Sequence, residues 1–155
     1  MNLRSAWSRV LNAPEFNVVL FALLLNLPWE FAQIPLYEGM GRMTHWDGVR
    51  ICMQATGGDA VIALGAFGIA AVVADSRNWV FAPRAQQIAA FMLTGLVVTV
   101  LIEFAATRGW GMFDWRYTPA MPVVPVIGTG LAPLMQWIIV PPLILWFVRR
   151  QTRQT

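Results

Sequence analysis

Lysine is missing from this chain: all eleven basic residues are arginine. Without that amine there is no Schiff-base chemistry, no covalent retinal and no phosphate-loop lysine. A single cysteine, Cys52, excludes an internal disulfide and a multi-thiolate metal site, and reads as a small buried residue. The lone histidine, His45, with Asp47 close by, offers too few ligands for a metal or haem. His45 is therefore expected at the surface, and neither a metal nor a cofactor is expected. A nucleophile elbow, a glycine-rich phosphate loop and a zinc signature are all lacking. Charge is scarce as well, at 12% of residues against about 25% in soluble domains.

What fills the chain instead is apolar: 57% of its 155 residues are hydrophobic, and eight are Trp, a residue favoured at membrane interfaces. The length suits one domain. Four runs approach the roughly 20 apolar residues that a bilayer span needs, at about 16–36, 51–74, 85–106 and 131–148. The expected fold is all-α: one transmembrane domain over 1–155, a polytopic four-helix bundle with an aromatic, proline-rich outer loop between the third and fourth helices. Pro28 and the pair Pro141–Pro142 fall inside spans, where neighbouring helices can satisfy the freed carbonyls. Gly65 and Gly68, with Ala60, Ala63, Ala66, Ala70 and Ala71, promise a small-residue contact surface on the second span. No removable leader is expected, the first span serving as the targeting signal.

Arginines sort by loop. Arg4, Arg9, Arg77, Arg84, Arg149, Arg150 and Arg153 share one side, and Arg42, Arg50, Arg108 and Arg116 the other. The positive-inside rule then places both termini in the cytoplasm, for a bacterial protein in the inner membrane. The arginines form no stripe, so the net charge of +3 does not suggest nucleic acid. Membrane lipid is the expected surrounding, and further copies or a membrane complex are possible partners. The loop from Thr107 to Gly130, with Trp110, Phe113, Trp115 and Tyr117, is too aromatic for a free linker. It should fold back over the outer end of the bundle as a lid, or rest on the headgroups as an aromatic belt.

Three acids fall within spans: Glu30, Asp59 and Glu103. An ionised acid at the bilayer centre costs about 2.5–3.5 kcal/mol even on a lenient scale, so such groups turn inward and find partners. With Gln136 in the fourth span, each helix carries one strongly polar group, all roughly 5–12 Å from the outer end at about 1.5 Å per residue. Asn26, Glu30, Gln33 and Tyr37 recur on one helical face, and Thr99 shares a face with Glu103. Two explanations compete. The groups can act as interhelical glue at about 0.6 kcal/mol per bond, or they can line a polar cavity that opens outward. Burial favours the neutral form of a carboxyl, which can then donate a proton. Glu103, the shallowest, could instead be hydrated or paired with Arg108. Glu30-Phe31-Ala32 recurs as Glu103-Phe104-Ala105, hinting at a duplicated helical hairpin that would bring Glu30 and Glu103 together.

The segment Asn26-Leu27-Pro28-Trp29-Glu30-Phe31, followed by an intramembrane Gly58-Asp59, resembles the integral-membrane terpene cyclases of meroterpenoid pathways. The chain is also similar to small four-span bacterial membrane proteins of no assigned role. The first resemblance implies Glu30 as an acid toward a prenyl substrate, with Asp59 or Glu103 as its partner. The expected function is an intramembrane site that binds an apolar, isoprenoid-like molecule or converts it by carboxyl acid–base chemistry, as a cyclase or isomerase would. Glu30, Asp59 and Glu103 are the candidate catalytic groups. Asn26, Trp29, Gln33, Tyr37, Trp110, Trp115, Tyr117 and Gln136 are the candidate binding residues, the aromatic faces being suited to a cationic intermediate. Two other classes compete: a proton- or cation-coupled transporter, and a non-catalytic subunit of a membrane complex.

Overall fold

The computed structural model describes Trp7, residues 10–110 and residues 114–152; Phe113, Arg4, Arg9 and Arg153 lie outside the described residues. Four long helices carry the fold: α1 (Pro14–Gln33), α2 (His45–Ala74), α3 (Ala85–Ala106) and α4 (Leu131–Thr152). All four are long and apolar enough to cross a membrane. The protein is an all-α four-helix membrane bundle, with no strand among the described residues. Each helix packs against two others, α1 and α3 both lying against α2 and α4, which closes a ring around one interior.

Local chemistry sets the helix ends. Pro14 opens α1, where its fixed φ and missing N–H cost nothing. Asn17 then ties the entering chain down by donating to the carbonyls of Leu11 and Ala13, at 2.7 and 3.0 Å. α2 starts at His45, six residues before the expected span. The cause is a cap: Thr44 Oγ1 accepts the N–H of Asp47 at 3.2 Å, and Asp47 sits in the first turn where acids suit the helix dipole. His45 is thus a first-turn residue, exposed and edge-on to Trp46. α2 ends at Asp75, whose φ of 49° gives the left-handed turn that returns the Ser76 N–H to the Ala71 carbonyl. Gln87 caps α3 by accepting the N–H of Arg84 at 2.6 Å. α4 runs on to Thr152, past the expected 148.

The interior is divided by height. Toward the end that holds Pro14, Ala74 and Ala85, it is apolar and tight: Val18, Ala63, Phe67, Phe91, Ile144 and Val148 are buried together. Trp79, from the turn between α2 and α3, closes this end against the Phe67 and Phe91 rings and donates to the Phe67 carbonyl at 3.3 Å. The small-residue seam on α2 is made by Ala60, Ala63, Ala66 and Ala70, which are buried. Gly65 and Gly68 were expected in that seam but are exposed, with open space around them. Their offset from the alanines turns them to the helix exterior, beside Val61 and Val72, which are 71% and 80% exposed. So apolar an exterior is suited to lipid.

A glycine does mark a close helix contact elsewhere, where α3 meets α4. A Cβ at Gly95 would stand 2.0 Å from the Trp137 ring. Overpacking of this kind costs about 1–3 kcal/mol. Gly95→Ala should therefore lower unfolding stability in bicelles by about that amount, whereas Gly68→Ala, in open space, should change it little. Equal effects of the two substitutions would contradict this packing.

Candidate functional site

At the opposite height the core turns polar, and one side chain organises it. The Gln136 amide nitrogen, on α4, lies 2.9 Å from Asn26 Oδ1, 3.0 Å from Glu30 Oε1 and 2.8 Å from Asp59 Oδ2. Asn26 presents its oxygen there because its own nitrogen donates to the Ala22 carbonyl one turn back, at 2.9 Å. Gln33, one turn on from Glu30, donates to the same Glu30 oxygen at 2.9 Å. The i, i+4, i+7 spacing of Asn26, Glu30 and Gln33 puts all three on the buried face of α1. Glu30 and Asp59, from different helices, thus meet at one amide nitrogen. An amide nitrogen has two hydrogens for these three acceptors, so a proton held by one carboxyl would complete the set.

Glu103 is held separately. The Trp115 indole N–H donates to its Oε2 at 3.1 Å, the Tyr117 hydroxyl donates to the same oxygen, and Tyr37 reaches Oε1 at 3.4 Å. Tyr117 in turn accepts the Gly130 N–H at 3.0 Å. Backbone pairing fixes this clasp. The Thr118 N–H donates to the Leu36 carbonyl at 2.9 Å and the Glu38 N–H to the Arg116 carbonyl at 2.8 Å, making a short antiparallel bridge between Tyr37 and Tyr117. The aromatic loop thus folds back onto the loop after α1. A second bridge, Val123 to Gly130, returns the chain to α4. Arg108 is not a partner of Glu103: it lies 3.5 Å over the Phe104 ring and donates to the Phe104 carbonyl.

A cavity of about 520 Å³ joins the two clusters, with Glu30, Asp59 and Glu103 all in its wall. Gln33, Tyr37, Trp115 and Gln136 line it too. Asn26 lies one layer behind, reaching it through Gln136, and Tyr117 reaches it through Glu103. Trp110 and Trp29 do not line it. Trp110 is 62% exposed against Phe104, and Trp29 packs at the edge of the apolar core. Glu30 and Glu103, alike in their Glu-Phe-Ala context, share the cavity but have unlike partners. Sequence reasoning missed Glu38 and Asp114, two exposed acids in the cavity wall. Their signal was adjacency: each directly neighbours an aromatic residue that was singled out, Tyr37 and Trp115. No group of residues that could hold a metal occurs among the described residues.

No protein-family model, no curated protein and no solved structure matches the chain.

Tyr37 and Tyr117 are the only tyrosines. Burial, and after it the Glu103 carboxylate, pushes both phenols above their ordinary value of 10. A group whose pKa is higher folded than unfolded stabilises the fold fully below the unfolded value, and that contribution is lost as pH rises from there. Tyrosinate absorbance of the folded protein should therefore stay absent about one pH unit above the ordinary value, with stability falling over the same range. Tyr117→Phe should reduce that alkaline loss of stability. Ordinary titration of both phenols near 10 would refute the clasp.

Proposed function

We propose that the protein binds an apolar lipid within the membrane, isoprenoid-like in kind, and converts it by proton transfer from the cavity carboxyls. The observation that carries this reading is the meeting of three carboxyl groups, from three helices, on one cavity roomy enough for a small lipid portion. Pockets of about 300–1,000 Å³ are usual for small molecules. Glu30 and Asp59, with a proton between them, are the acid of this reading, and Glu103 is the fixed negative group facing a developing positive charge. The ring edges and faces of Tyr37 and Trp115 complete the wall on that side. The likeness of the Asn26–Phe31 segment to membrane terpene cyclases agrees with a prenyl chain as substrate. In this reading the protein sits in a bacterial inner membrane with both termini in the cytoplasm and the cavity in the outer half, an orientation that the arginine distribution supports.

The core below the site supports this reading over proton-coupled transport. Beneath Asn26 and Gln136 the interior passes to Val18, Ala22, Phe67, Phe91 and Ile144, all buried and apolar. A proton path would need polar groups there.

Lipid and isoprenoid profiles of a deletion strain, and of strains restored with wild type or Glu30→Gln, test the proposal. The deletion should accumulate an apolar precursor and lose its product. Wild type should restore the product, and Glu30→Gln should fail to, because loss of a general acid costs about 10²–10⁴-fold in rate. An unchanged profile in the deletion strain, or full restoration by Glu30→Gln, would overturn it.

A further inference from the structure

The cavity wall carries charge of one sign. Glu38 and Asp114 join the three intramembrane acids, and none of the described lining residues is Arg or His. Two residues of the wall each hold a buried polar atom without a partner: Gln33 Oε1, whose nitrogen is already committed to Glu30, and Thr99 Oγ1. Both residues are only 7% exposed. A buried polar atom without a partner is costly, and an amide oxygen can only accept. What is missing at Gln33 is therefore a donor.

The cavity also has an open side. Ile51, Gln54 and Gly58 follow one another at i, i+3 and i+7 along α2, and each is both exposed and part of the cavity wall. Across from them Ile102 of α3 contributes apolar surface. Gly58 leaves this edge bare, with nothing within 4 Å of where a Cβ would be. The same helix turns Met53 and Val61 outward, 54% and 71% exposed, so the opening lies among lipid-facing residues.

We propose that the cavity selects an amphiphile whose polar end donates hydrogen bonds and carries no negative charge, a lipid alcohol or a lipid amine, entering sideways from the bilayer past Gly58. This rests on the reading of the cavity as a lipid site. The donor pairs with Gln33 Oε1 and Thr99 Oγ1 once these side chains rotate toward the cavity, and the apolar chain lies along Ile51, Ile62 and Ile102. Phosphate and carboxylate head groups meet five acids and no cation, and a buried charge without a counter-charge is disfavoured.

The test uses the full chain in phosphatidylcholine nanodiscs and four tritiated probes with the same long alkyl chain: an alcohol, a primary amine, a carboxylate and a phosphate monoester. Saturable binding is followed by scintillation proximity. The alcohol, the amine or both should bind at least about tenfold tighter than the two anions, a difference of about 1.4 kcal/mol. The better of the two names the head group. Gln33→Leu with Thr99→Val should shrink that gap. Gly58→Leu, in open space and so compatible with folding, should slow association while leaving the order of preference unchanged. Equal or tighter binding of either anion would overturn the head-group claim while leaving the lipid site standing. Unchanged association in Gly58→Leu would overturn the side entrance. Saturable binding of none of the four would overturn this proposal, whereas the strain profiles decide the lipid-conversion reading independently.

Discussion

One amide group on α4 is the constraint that the rest of the polar core answers to. Gln136 reaches acceptors on α1 and α2 at once, Asn26 and Glu30 on the first and Asp59 on the second. In a medium without water, acids and amides of separate helices must find one another or remain unsatisfied. Their joint satisfaction around Gln136 fixes the relative height of three helices, which apolar contacts alone would leave free to slide. The surrounding lipid is as apolar as the helix exteriors, so apolar burial gives little preference for one register.

Glu103 obeys the same rule by different means. Among the described residues, no donor on a neighbouring helix serves it. Its oxygens are met by Trp115 and Tyr117 from the loop before α4 and by Tyr37 from the chain after α1. One carboxyl therefore anchors two loops, and the backbone bridge between Tyr37 and Tyr117 keeps those donors in place. Between the Gln136 cluster and this clasp the helices have nothing to fill the interior, and the cavity results. The half beneath is well packed, with Gly95 against Trp137 and Trp79 over Phe67.

The architecture was legible because its signals are long. Four apolar runs, spaced by loops with Arg, Gly and Pro, admit little besides a four-helix membrane bundle, and the third span matched Ala85–Ala106 at both ends. The early start of α2 was not legible from hydropathy, because Thr44 and Asp47 extend the helix through polar sequence by capping it. The intramembrane polar residues could be picked out singly, since an acid in a span must turn inward. Partner choice could not. Nothing in one sequence distinguishes Arg108 from Tyr117 as the neighbour of Glu103; that depends on where a 24-residue loop, Thr107 to Gly130, folds back. The glycines of α2 misled for a related reason, as small size marks a position that can approach a helix, and only its angle around the axis decides whether it does. The aromatic loop likewise announced that it would pack, but not that Trp115 would face inward while Trp110 faced out.

Whether the Gln136 cluster forms in the membrane is measured directly by a double-mutant cycle. Unfolding free energies in bicelles would be compared for wild type, Gln136→Leu, Asp59→Leu and the double variant. Residues in one hydrogen-bonded network couple by about 0.5–3 kcal/mol, and that coupling is the expected result for two positions 77 residues apart in sequence. Additivity within about 0.3–0.5 kcal/mol would mean that the two side chains do not meet, and the carboxyls would then share no common site.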